Sequence, residues 1–95
     1  MALKEYLTEN QEKLDLYTTA ITRAHGKNHP EAFAVRDLYT ELEAAVFNDK
    51  KEKTTRVFKE LRQVTSNYEM PNDVCETYEA TFHMLEKMDQ LQAIN

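Results

Sequence analysis

Apolar residues recur every three or four positions along four stretches of this chain, and little between them breaks the rhythm. That spacing places them on one face of a helix with 3.6 residues per turn. The 95 residues include one glycine and two prolines, whereas all-β folds usually need more turn residues than that. The pattern therefore predicts an all-α protein.

The first stripe, from about Leu3 to Ala24, is carried by Leu3, Leu7, Leu14, Tyr17, Ile21 and Ala24. Asn10 interrupts it. Thr8 and Gln11 have capping-box spacing, so the expectation is an irregular lead-in with the helix proper starting there. His25-Gly26 is the expected stop, with Gly26 free to turn left-handed. The second stripe starts at Pro30, a residue suited to a first helical turn, with Glu31 complementing the helix dipole. Phe33, Val35, Leu38, Leu42, Ala45 and Val46 form its face, and Asn48 is the stop. The third starts between Asp49 and Thr54 and ends near Tyr68, with Val57, Phe58, Leu61 and Val64 inward. The fourth starts near Pro71–Asp73, with Asp73 and Glu76 at capping-box spacing. Its face is Val74, Tyr78, Phe82, Leu85, Met88 and Leu91.

Links of only a few residues force neighbouring helices to run antiparallel. The expected architecture is one domain over residues 1–95, an up-down-up-down four-helix bundle. A chain this short buries roughly 60–65% of the surface its unfolded form exposes. A partner or a second copy would widen a thin stability margin, and Met84, Met88, Leu91 and Ile94 are apolar surface for such a contact.

The formal charge of −5 disfavours attraction to phosphate backbones, so nucleic acid is not an expected partner. No apolar run approaches the roughly 20 residues of a membrane span, and MALKEYLTENQEK lacks the apolar core of a secretory signal. Cys75 is the only cysteine, which suits a reducing compartment. A cytoplasmic protein with no membrane partner is expected.

Few residues carry chemistry. Lys50, Lys51, Lys53, Arg56 and Lys59, with Arg62, form a basic run at the start of the third helix. Cations there oppose the helix dipole, which marks the run as a candidate surface for an acidic partner. Pairing with Asp49, Glu52 and Glu60 on a solvated face is the simpler account. Cys75 beside a helix start is a candidate redox thiol, although a lone cysteine near an apolar stripe is ordinarily packing. His25 and His29 have H-x-x-x-H spacing, but Gly26 and Pro30 make the stretch a turn rather than a metal-binding helix face. No histidine has Glu three residues before it, as a di-iron bundle site would use; Thr22, Gly26 and Ala80 stand there. His83, between Glu79 and Glu86, reads as a solvated surface residue.

The stretch Leu61–Tyr78, LRQVTSNYEMPNDVCETY, resembles the pattern LRxLTxxYxxPxDACxTYxAxxxxLxE of the iron–sulfur cluster repair family, hemerythrin-like di-iron proteins. Leu61, Arg62, Thr65, Tyr68, Pro71, Asp73, Cys75, Thr77, Tyr78, Ala80 and Leu85 match, with Val64 and Val74 in place of Leu and Ala. Ala24–Glu31, AHGKNHPE, resembles the family's turn after its first helix. The resemblance implies a hemerythrin-like bundle and a role in iron–sulfur repair. It does not carry over the family's ligands. Only His25 matches a histidine position. The second-helix histidine and glutamate positions fall on Ala45 and Asp49, the third-helix histidine falls on or near Lys51, and the closing HIxxEN run has its place after Leu91–Asn95.

The reading is a non-catalytic protein with no cofactor, acting through a protein partner or as a homo-oligomer. The alternative is a repair protein binding iron in a site completed by another chain, with His25, Asp49 and either His29 or Glu31 contributing.

Overall fold

A computed structural model describes residues 2–94. Four helices make up the fold: α1 (Leu3–His25), α2 (Glu31–Phe47), α3 (Lys51–Thr65) and α4 (Glu76–Ile94). There is no strand among the described residues. α1 packs on α2 and α4, and α2 packs on α3. The radius of gyration, 12.4 Å, is close to the ~12 Å of a close-packed chain of this length.

Each helix sends most of its stripe inward, although Ala24 at the end of the first is exposed and Tyr17 and Val64 are only partly buried. Leu7, Leu14 and Ile21 from α1, Val35 and Leu42 from α2, Val57, Phe58 and Leu61 from α3, and Phe82, Leu85 and Met88 from α4 are buried. Tyr39 and Tyr78 are the largest fully buried side chains. Polar ties cross the same faces. Arg36 donates to the hydroxyl of buried Thr18 at 2.9 Å, and Gln11 donates to Glu43 at 3.0 Å, both joining α1 to α2. No buried side-chain nitrogen or oxygen among the described residues lacks a partner.

The expected lead-in to α1 is helical instead. Thr8 and Asn10 donate back to the carbonyls of Lys4 and Tyr6, at 2.7 and 2.9 Å. Their polar groups are thereby satisfied within the helix, and burial of Leu3 and Leu7 draws its start to the chain end. A second correction concerns Gly26, which stays right-handed at φ −55°. Glycine is needed there for space, because a Cβ would meet the Thr22 carbonyl and lie 2.7 and 2.8 Å from the ring of Phe33. Phe33 therefore lies over Gly26 at 53% exposure rather than in the core.

α2 ends as expected at Asn48. Asp49 takes the left-handed conformation (φ 55°), and the Lys50 N–H reaches back to the Ala45 carbonyl at 2.8 Å. This is a Schellman ending with Asp49 in the place glycine usually fills. α3 stops at Thr65, short of Tyr68, because Ser66, Asn67 and Tyr68 are all left-handed, with φ of 53°, 61° and 64°. α4 starts at Glu76, later than expected. The Asp73 carboxylate that was to cap it bonds His29 instead, and Val74 is only partly buried.

The apolar surface expected near the chain end is largely absent. Met88 and Leu91 are buried and Met84 is partly buried, leaving Ile94 exposed at 80%.

Candidate functional site

The chemically equipped side chains gather where α1 ends, α2 begins and the α3–α4 connection passes. His25 is the last residue of α1. Its Nε2 lies 3.3 Å from the sulfur of Cys75, which directly precedes α4 and whose carbonyl accepts the Glu79 N–H. Cys75 is exposed, so packing is not its role. The His25 ring stands edge-on to Tyr78, with centroids 5.4 Å apart at 85°.

Next to this pair, His29 joins three segments. Its Nδ1 lies 2.9 Å from Glu31 Oε1 at the start of α2, and its Nε2 lies 2.9 Å from Asp73 Oδ1 in the α3–α4 connection. A carboxylate accepts only, so the imidazolium form, in which both ring nitrogens donate, is the one this pair of contacts favours. Partial burial of the ring pulls its pKa down. The hydrogen bonds and negative charge of Asp73 and Glu31 outweigh that, and the pKa lies above the ordinary histidine value. Tyr78 also donates to Glu31 Oε1, at 3.2 Å. Burial first, then the Glu31 carboxylate, holds the Tyr78 phenol well above its usual pKa.

A second network staples the opposite flank of the same connection. Arg62 Nη1 lies 2.7 Å from both carboxylate oxygens of Asp89 on α4. Tyr68 donates to Asp89 at 2.7 Å, and Gln92 at 3.0 Å. The Thr65 hydroxyl accepts the Tyr68 N–H at 2.9 Å. A left-handed turn at three non-glycine residues costs on the order of 1 kcal/mol each. These contacts hold it in place. Asp89 is buried despite its charge. A carboxylate seven positions after Phe82 and four after Leu85, inside an apolar stripe, was the available sequence signal for this network.

The two candidate metal residues are not brought together. His25 ends α1, whereas Asp49 lies against Lys4 near its start, at 3.5 Å. They are about 30 Å apart along the helix at ~1.5 Å per residue, and no ion reaches both. Ala45 is buried in the core and Lys51 opens α3 in solvent. His29, an alternative ligand, has both ring nitrogens engaged, and Glu31 is one of its partners. Among the described residues no group of three or more His, Cys, Asp or Glu side chains is arranged to hold a metal. The donor set present does not fit a pair of irons, which requires several imidazoles and bridging carboxylates around one centre.

The basic run lies at the other end of the molecule. Lys50, Lys51, Lys53, Arg56 and Lys59 are exposed. Arg56 is 3.9 Å from Glu41, and among the described residues the four lysines make no ion pair. Arg62 is not part of this surface, since it faces Asp89. Lys50 and Lys51 join Lys4 around a cleft of about 280 Å³ floored by Leu3, Ala45 and Val46. His83 is exposed, as expected of a surface residue.

Helices alone, a Cys–His pair and a histidine gripping two carboxylates define a small all-helical protein. No helix among the described residues is long and apolar enough to cross a membrane. The chain is 20% identical to the iron–sulfur cluster repair protein ScdA of Staphylococcus haemolyticus, over an alignment of 119 residues covering 90% of this chain and 54% of that protein. It is distantly related to that repair protein and spans about half its length. No protein-family model and no solved structure matches the chain.

Proposed function

We propose that this chain is an antiparallel, hemerythrin-like bundle that has kept the scaffold of an iron–sulfur cluster repair protein without its di-iron chemistry. It is a non-catalytic cytoplasmic protein that works by binding an acidic protein partner or a second copy of itself. The observation that carries this reading is the use made of the motif's polar residues. Arg62, Thr65 and Tyr68 serve the Asp89 network, Asp73 serves His29, and Tyr78 serves Glu31. The part of the chain that resembles the repair family is thus engaged in joining helices. The contact surface is the exposed basic run, in which Lys50 and Lys51 flank the apolar-floored cleft and Lys53 and Lys59 are exposed on α3 outside it.

Metal analysis of protein purified without a chelating tag tests this. The expected result is no stoichiometric metal and a melting temperature unchanged by chelator, since a metal bound only by the folded state must stabilise it. Near-stoichiometric iron that is lost in His25→Ala would overturn the reading.

A second reading is supported by the likeness to ScdA and by the exposed His25–Cys75 pair. The chain would then act in iron–sulfur repair, with metal held at a site that another chain completes. Iron that binds only in a mixture with that chain, and not to this one alone, is its signature.

A further inference from the structure

We propose that the basic cleft is where a second copy of this chain docks, by the Leu16 face of its α1. The inference rests on the reading that the basic end is a contact surface, and it names what covers that surface. Three large apolar side chains are exposed among the described residues: Leu16, Phe33 and Ile94. Phe33 lies over Gly26, and Ile94 is the last residue of α4. Leu16, at 66% exposure, stands in mid-helix with no such role. A single exposed leucine is ordinary; its setting is what matters. Glu5, Glu9, Glu12 and Leu16 follow at spacings of four, three and four, which puts them on one face of α1, and all of them are exposed. Glu9 and Glu12 make no ion pair among the described residues. Within a turn of Leu16 in sequence, Lys13 is the one cation.

The cleft is the complement of that face. Its floor is Leu3, Ala45 and Val46, and its rim carries Lys4, Lys50 and Lys51. Asp49 also lines it, and Lys4 offsets that charge from 3.5 Å. Lys50 and Lys51 stand at the start of α3, which has no side-chain cap. The positive end of the helix dipole therefore adds to their field, and a carboxylate is what such a setting attracts. The volume, about 280 Å³, is ample for one leucine side chain. A leucine among glutamates thus matches an apolar floor among lysines. The two cannot meet within one molecule. Leu16 and Leu3 lie on the same helix, about 20 Å apart at ~1.5 Å per residue, and Leu16 faces solvent. The contact is therefore between copies, with complementary charge setting its register.

The test is sedimentation at low salt across a roughly hundredfold range of protein concentration. The weight-average mass should rise with concentration, and the association constant should fall roughly tenfold in about 0.5 M salt, which screens exposed charges. Leu16→Gln removes the apolar knob, and the double variant Lys50→Glu, Lys51→Glu reverses the rim. These positions are exposed, so both variants should fold, which helical circular dichroism checks. Each alone should associate roughly tenfold more weakly. An equal mixture of the two should associate again, the Leu16 face of one variant seating in the intact cleft of the other. Wild-type protein that stays monomeric, association that neither variant weakens, or a mixture no stronger than its components would overturn the proposal. A labelled glutamate-rich peptide with one central leucine keeps two failures apart. A monomer that binds it through Lys50 and Lys51 would overturn the second copy as occupant and leave the basic contact surface standing. A monomer that does not bind it would overturn both.

Discussion

His29 Nε2 lies 2.9 Å from Asp73 Oδ1, across 44 residues of chain, while its other ring nitrogen holds Glu31 at the same distance. One imidazole ring thus ties the α1–α2 turn and the start of α2 to the α3–α4 connection. The folded state binds the His29 proton more tightly than the unfolded chain does, because the two carboxylates raise its pKa above the ordinary value of about 6.5. Stability from this clasp is complete below about pH 6.5 and is lost as pH rises through the raised folded value. The melting temperature should fall between pH 6 and 8, and His29→Asn should flatten that fall. A wild-type profile as flat as the variant's would rule the clasp out as a contributor.

Asp89 should be the costliest polar residue to remove. Asp89→Ala leaves Arg62 and Tyr68 without their acceptor, and breaking a buried ion pair from one side costs about 3–5 kcal/mol. Arg62 is partly exposed, which lowers the expectation to roughly 2–3 kcal/mol. Urea unfolding measures this. In a double-mutant cycle, Arg62→Ala should add little once Asp89 is gone, and full additivity would show that the pair is uncoupled.

Alkaline unfolding should be coupled to tyrosine ionisation. Burial first, then nearby carboxylates, raises the pKa of Tyr39, Tyr68 and Tyr78. Folded stability is full below about pH 10 and is lost above it, because the unfolded chain releases those protons more readily. Phenolate absorbance from these residues should appear together with loss of helical circular dichroism. Their ionisation in a still-folded protein would contradict the burial.

Gly26→Ala should destabilise by about 1–3 kcal/mol, the usual range for overpacking. Truncating Phe33 in the same chain should return only part of that, since the Thr22 carbonyl stays in the way of the added Cβ. Complete rescue by Phe33→Ala, in thermal or urea unfolding, would show that the ring alone sets the need for glycine.

Much of the fold is legible in residue order. The stripe Leu7, Leu14 and Ile21, and its counterpart Phe82, Leu85 and Met88, mark inward faces because burial follows a local period. Pro30 and Asn48 mark helix ends for equally local reasons. The same local rules fail at Thr8, which has the spacing of a cap yet sits inside a helix, because burial of Leu3 and Leu7 outweighs a capping preference of roughly 1 kcal/mol.

What residue order determined by itself is four helices and the face each one buries, since a 3.6-residue repeat and a proline or glycine act over a few positions. Tertiary structure decided which polar groups meet. Cys75 finds His25, Asp73 finds His29 rather than its own helix, and Asp89 finds Arg62 and Tyr68. Those contacts span 50, 44, 27 and 21 residues. Periodicity carries no information about such pairings, because they depend on how whole helices are placed against one another, and only the packed core sets that.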